Sequence, residues 1–175
     1  GRSGQVIATG GLSDLAKESV TNISAVVKKL TGKDIQDYDL HVQFPGTHNV
    51  DGDSASITMA TAIISAFEGV PIDQNLAMTG SLSVRGEVLP IGGVSAKIEA
   101  AVKSGIERVI IPRSNLQDVL IDEKYESMVE VLPVDSLDEV LQHALVGAEE
   151  KVSLVERLAN VIDTISSGPD TQPSA

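Results

Sequence analysis

Cysteine and tryptophan are both absent from these 175 residues, and two Tyr and two Phe are the only aromatics. Without cysteine there can be no disulfide, no thiolate metal site and no cysteine nucleophile, and the chain is compatible with a reducing cytoplasm. With aromatics at 2%, a core has to be built from Val, Ile, Leu and Ala. Positive charge is scarce as well: 13 Lys and Arg stand against 25 Asp and Glu, a net charge of −12. Such a surface repels phosphate backbones at long range, which argues against a nucleic-acid partner. No apolar run approaches the ~20 residues of a membrane span. No G-x-x-x-x-G-K-[ST] or G-x-G-x-x-G phosphate loop occurs, so no nucleotide or other cofactor is expected within this chain. His41, His48 and His143 have no metal-ligand spacing and no H-E-x-x-H is present, so no metal is expected either.

What remains is ordinary for a soluble globular chain: 42% hydrophobic and 22% charged residues, at a length that suits one domain with a real core. Gln5 to Thr9 reads as a strand, and Ser13 can cap a helix running to about Leu30, with Leu15, Ala16, Ile23, Val26 and Val27 on its apolar stripe. Alternation from Tyr38 to Phe44 predicts a half-buried strand, and Pro45 to Asp53 a loop. A mostly buried helix is expected from Ser54 to Phe67, stopped by Gly69. Leu76 to Pro90 looks like a hairpin about an Arg85-Gly86-Glu87 turn. A helix from Val94 to Ser104 follows, ended by Gly105, then a strand from Arg108 to Ile111 stopped by Pro112. Asn115 to Ile121 is expected to be helical and Met128 to Val134 a strand. Two more helices are expected, from Leu137 to about Val146, capped by Ser136, and from Lys151 to Ile165. The alternation of strands and helices predicts a single layered α/β (α+β) domain.

Three features could carry chemistry. Asp51-Gly52-Asp53-Ser54-Ala55-Ser56 takes a glycine-containing loop into an apolar helix with a serine at the junction. A helix N-terminus offers N–H groups and partial positive charge, a suitable place for an oxyanion formed beside that serine. Asp53 or Ser54 could equally be no more than a helix cap. Lys97 stands three residues after Val94 and four before Ala101, on the edge of the stripe made by Val94, Ile98, Ala101 and Val102. An amine drawn toward apolar neighbours gives up its proton more readily and can then act as a general base, although a lysine can also carry its ammonium out to solvent. Thr79 offers a hydroxyl at the start of a strand, where it could orient a neighbouring amine. A Ser–Lys dyad needs no histidine, metal or cysteine.

The segment from Met78 to Ala101, M-T-G-S-L-S-V-R-G-E-V-L-P-I-G-G-V-S-A-K-I-E-A-A, resembles the stretch around the catalytic lysine of Lon proteases. Their pattern is a Met-Thr-Gly strand, an R-G-x-V-L-P-[IV]-G-G turn and a lysine four residues after the second glycine. Here that lysine is Lys97. Their catalytic serine sits in an upstream G-x-S-A element, here Gly52-Asp53-Ser54-Ala55. The resemblance runs from about Gln5 to Ala148. Against the bacterial P-K-D-G-P-S-A-G form, Asp53 replaces Pro and Ser56 replaces Gly. The G-D-S-A-S string is similar to the archaeal branch, whose full-length members are anchored to the membrane through a segment outside this region.

This resemblance implies the Lon proteolytic domain fold and a serine endopeptidase with Ser54 as nucleophile and Lys97 as general base. Thr79, Asp51 and Asp53 would support them. It implies unfolded protein substrates, a cytoplasmic domain, a hexameric ring of identical chains, and an AAA+ module elsewhere in the full-length chain that binds ATP and Mg. The expected organisation is a proteolytic domain over residues 1–148 lacking its first strands, a C-terminal helix over 149–165 and a disordered tail over 166–175. Gly1-Arg2-Ser3-Gly4 is expected to be a cloning scar or a cut inside a longer protein. The rival is a non-catalytic Lon-like module that forms rings or binds a partner. The presence of both Ser54 and Lys97 argues against it.

Overall fold

Alternation along three short strands creates the layers of this protein. In the computed structural model, which describes residues 6–9, 13–43 and 52–168, strands at Leu76–Met78 (β3), Arg108–Pro112 (β6) and Glu130–Val134 (β7) form a parallel sheet in the order β3-β6-β7. Successive residues of a strand face opposite ways. Accordingly Ile110, Leu132 and Val134 join the larger hydrophobic core, with Leu76 and Met78 packed on it. Val109 and Ile111 join a smaller one, with Ala77 and Val131 packed on it.

The larger core lies between this sheet and four helices: Ser13–Thr31 (α1), Ser56–Glu68 (α2), Leu137–Ala144 (α5) and Glu149–Ser167 (α6). Ile23, Val26 and Val27 of α1 meet Ile57, Ala60 and Ile64 of α2, while Leu154, Leu158 and Ile162 of α6 close the bundle. The smaller core lies on the other face, where Val94, Ile98 and Ala101 of the helix Val94–Lys103 (α3) cover Val109 and Ile111. The fully buried large side chains are Ile, Leu and Val throughout, as the scarcity of aromatics requires. The Tyr38 and Phe67 rings meet edge-on at 5.2 Å, and Tyr38 is exposed.

The remaining strands are peripheral. Val6–Thr9 (β1) and Leu40–Gln43 (β2) pair in parallel across α1, with Val6 opposite Leu40. Ser81–Leu82 (β4) and Val88–Leu89 (β5) make an antiparallel hairpin. Its turn needs Gly86, whose φ of 86° lies in the left-handed region. A four-residue helix, Glu123–Glu126 (α4), precedes β7 and is capped by Asp122, which accepts from the Lys124 N–H.

Several expectations are corrected. Tyr38 does not open a strand: its N–H closes a 3-10 turn over Ile35–Asp37 by donating to Ile35, and β2 begins two residues later. Phe44 lies outside the described residues. The segment 76–90 is not one hairpin, because β3 pairs with β6 and only residues 81–89 fold back. Residues Arg113–Asp118 form a 3-10 helix rather than an α-helix over Asn115–Ile121, and Val119 closes it with an i→i+3 bond to Leu116. Ser136 stands at the N-cap of α5, but its hydroxyl meets the Glu139 carboxylate at 3.4 Å instead of a backbone N–H. Val152, counted on the apolar stripe of the last helix, is 53% exposed. Helix α6 continues through Ser167, and residues 169–175 of the expected tail lie outside the described residues.

Two predictions follow from this packing. Ile98 is fully buried in the smaller core, so Ile98→Ala should cost about 2–5 kcal/mol and Ile98→Val about 0.5–1.5 kcal/mol. Equal midpoints for both variants in chemical denaturation would contradict that placement. His143 in α5 is half-buried, and burial followed by the Arg108 guanidinium holds its imidazole below the usual histidine range. The unfolded chain then binds the proton more readily than the folded one. The contribution of His143 to stability is therefore complete above the usual histidine range and is lost as pH falls through the lowered value. His143→Gln should flatten the fall in Tm on mild acidification, and an unchanged slope would count against it.

Candidate functional site

The site assembles at the carboxyl ends of the parallel strands, where open α/β sheets commonly bind ligands. Strand β3 ends at Met78, and Thr79 and Gly80 carry the chain out of the sheet. Thr79 remains tied to the neighbouring strand, its N–H donating to the Ile110 carbonyl at 3.1 Å. Its side chain is buried at 6% exposure, with the hydroxyl directed at Lys97.

Lys97 comes from the opposite direction. Gly93, with a left-handed φ of 70°, starts α3, and the Lys97 N–H closes the first turn onto the Gly93 carbonyl at 3.2 Å. Val94, Ile98, Ala101 and Val102 turn into the protein, as the spacing predicts, and Lys97 lies half-buried on their edge. Its Nζ donates to Thr79 Oγ1 at 3.5 Å, the outer limit of hydrogen-bond reach. A threonine hydroxyl can accept from an ammonium or donate to a neutral amine, so it can follow this nitrogen through both protonation states.

Ser54 approaches from the other side of the sheet. It lies in a 3-10 turn over Gly52–Ala55, one turn before α2, and not at the start of the α-helix as expected. The reason is Gly80. The Gly80 N–H donates to the Ser54 carbonyl at 2.9 Å, and the Ile57 N–H donates to the Gly80 carbonyl at 3.2 Å. The serine carbonyl is thus held by a strand-like bond. The Ile57 N–H, one of the helix-end donors expected to serve an oxyanion, is already engaged. A glycine is needed here because a Cβ on residue 80 would come within 3.1 Å of Ile57 Cδ1 and 3.2 Å of Val88 Cγ1.

Ser54 and Lys97 line the same open cleft of about 870 Å³. Its other walls are Pro90 to Gly93, Ala96 and Ala100 on α3, and Asn115 with Asp118. Of the remaining candidates, Asp51 lies outside the described residues. Asp53 contributes backbone to the turn, and its side chain also lies outside them. Asn115, Asp118 and Ser95 were not singled out from sequence. An asparagine soon after a strand-ending proline reads as turn or cap chemistry, and nothing in its spacing connects it to Ile91.

The residues brought together here match a known family. Residues 1–147 fit the model of the Lon protease (S16) C-terminal proteolytic domain. The chain is 54% identical over 165 residues to the archaeal Lon protease of Methanothermobacter thermautotrophicus, covering 94% of this chain and 26% of that protein. It is 56% identical over 155 residues to the archaeal Lon protease of Archaeoglobus fulgidus, with 88% and 25% covered. A Lon protease from Azorhizobium caulinodans is 37% identical over 162 residues, covering 88% of this chain and 19% of that protein. The chain therefore belongs to the Lon proteolytic-domain family, and it is more similar to these archaeal relatives than to that bacterial one. It spans about a quarter of the length of the archaeal relatives.

The Gly80 contacts can be tested directly. Gly80→Ala should destabilise by ~1–3 kcal/mol through overpacking. Ile57→Val, which removes the methyl nearest the added Cβ, should recover part of that loss in the double variant. Strictly additive Tm changes across the two single variants and the double would contradict the close approach.

Proposed function

We propose that this chain is the proteolytic part of an ATP-dependent serine endopeptidase that degrades unfolded protein, with Ser54 as nucleophile and Lys97 as general base. The observation that carries the reading is that one cleft takes in both residues while the Lys97 amine touches the Thr79 hydroxyl. The protease names of the relatives favour it over a non-catalytic ring-forming or binding module.

In this reading the neutral Lys97 amine accepts the Ser54 hydroxyl proton as Oγ attacks the scissile carbonyl. The resulting tetrahedral oxyanion is met by N–H groups of the Gly52–Ala55 turn. Collapse breaks the C–N bond, and the Lys97 ammonium returns its proton to the leaving amine, giving an acyl-Ser54 ester and a free amino terminus. A water molecule, deprotonated by the same amine, hydrolyses the ester and restores Ser54. Thr79 orients the amine through the cycle. Asp51 and Asp53 support the turn beside the nucleophile.

The wider machinery belongs to the same proposal. ATP and Mg would act at an AAA+ module elsewhere in the full-length chain, which would deliver unfolded polypeptide to the cleft. Identical chains would assemble into a ring, with six as the expected number. No described helix is long and apolar enough to cross a membrane, so the proposal puts any anchor outside the described residues and this domain in the cytoplasm.

The test is hydrolysis of a fluorogenic peptide by the full-length protein. Ser54→Ala and Lys97→Ala should each remove activity, the base alone being worth ~10²–10⁴ in rate, while far-UV circular dichroism and Tm stay near wild type. Thr79→Val, which keeps shape and loses the hydroxyl, should lower kcat more than KM. Near-normal turnover by Ser54→Ala would end the assignment.

A further inference from the structure

Strand β5 ends at Leu89, and α3 does not start until Gly93. Between them, Pro90, Ile91 and Gly92 cross without a strand beside them and form a wall of the cleft. Asn115 supplies what a strand would. It is 3% exposed, and its carboxamide Oδ1 accepts from the Ile91 N–H at 2.9 Å while Nδ2 donates to the Ile91 carbonyl at 2.9 Å. The second Nδ2 hydrogen reaches the Asp118 carboxylate at 3.1 Å. A second grip lies two residues before Lys97. Ser95 Oγ donates to the Asp118 carbonyl at 3.1 Å and accepts from the Leu120 N–H at 2.9 Å. One short segment thus holds both the cleft wall and the first turn of the helix that carries Lys97.

We infer that Asn115 is a positioning residue for peptide hydrolysis, holding Ile91 and the start of α3 so that the Lys97 amine stays in reach of Thr79. This rests on the Ser54–Lys97 reading. The polar atoms of Asn115 are occupied by Ile91 and Asp118, so it acts through Lys97 and not on the substrate. The geometry makes the role matter. The Lys97–Thr79 contact is already at 3.5 Å, so a small shift of the helix start breaks it, and a misplacement of about 1 Å can cost on the order of 10²-fold in rate. An apolar residue could fill the same space, but only a carboxamide can bond the N–H and the carbonyl of one residue together.

The experiment compares Asn115→Asp and Ser95→Ala in the full-length protein. Asn115→Asp keeps the shape and the acceptor for the Ile91 N–H, loses the donor to the Ile91 carbonyl, and sets a carboxylate against Asp118. Ser95→Ala removes the second grip at a position that is not buried, and it decides the matter if the aspartate variant does not fold. Peptide hydrolysis is measured well below each variant's Tm and expressed per folded molecule. The expected result is a fall in kcat of roughly 10–100-fold for Asn115→Asp, a smaller fall for Ser95→Ala, and KM within about twofold of wild type in both. Wild-type kcat in each folded variant, whatever happens to Tm, overturns the positioning role. Ser54→Ala and Lys97→Ala run beside them separate the two failures. If those two lose activity while the Asn115 and Ser95 variants keep it, only the positioning role falls. If those two stay active, the dyad reading falls and takes this one with it.

Discussion

Two backbone hydrogen bonds at Gly80 hold the serine's turn to the end of the sheet. The remainder of the site is arranged around them. Thr79, one residue earlier, is bonded to β6 through its N–H and touches Lys97 through its hydroxyl. The Thr79-Gly80 dipeptide therefore ties three bodies together: the sheet, the turn before α2 and the side chain from α3. Gly80 also has to be small, because Ile57 and Val88 close over it. A larger residue would part the turn from the strand even if every side chain named in the chemistry were unchanged.

Periodicity made much of this legible. The α3 stripe was read from spacing residue by residue, and it put Lys97 on the edge where it lies. The all-aliphatic core followed from composition. The features that escaped are long-range. Spacing cannot reveal that the Ser54 carbonyl is claimed by Gly80, so the serine was set on an α-helix and not on the turn before it. Nor can spacing reveal that Asn115 stands in for a strand beside Ile91. Which strands pair is equally hidden, and residues 76–78 were merged with a hairpin although their partner is β6. Motif resemblance supplied what periodicity could not, the association of Ser54 with Lys97.

The acidic composition fits the layered arrangement. Ion pairs such as Arg113–Asp135 and Arg157–Glu68 lie toward solvent and contribute little individually. Arg108 is more enclosed, reaching the Asp73 carboxylate at 3.3 Å and the His143 carbonyl at 3.5 Å. It fastens the start of β6 to the end of α5, away from the cleft. Cohesion in the interior comes from aliphatic packing, at ~1.5–3 kcal/mol for each large side chain fully buried.

That packing is unequally shared between the two faces of the sheet. Four helices stand behind one face, while the face that supports Lys97 is covered by α3 and a few neighbouring residues. Local opening is governed by how much apolar contact a segment must give up. The lysine's layer can therefore loosen at a lower temperature than the layer behind the serine. Heat inactivation and heat unfolding become separate events, and a preparation that has lost its catalytic arrangement can still show nearly its full helical signal. Thermal tolerance of the working enzyme is then set by the thinner layer, whatever the bundle behind it can withstand.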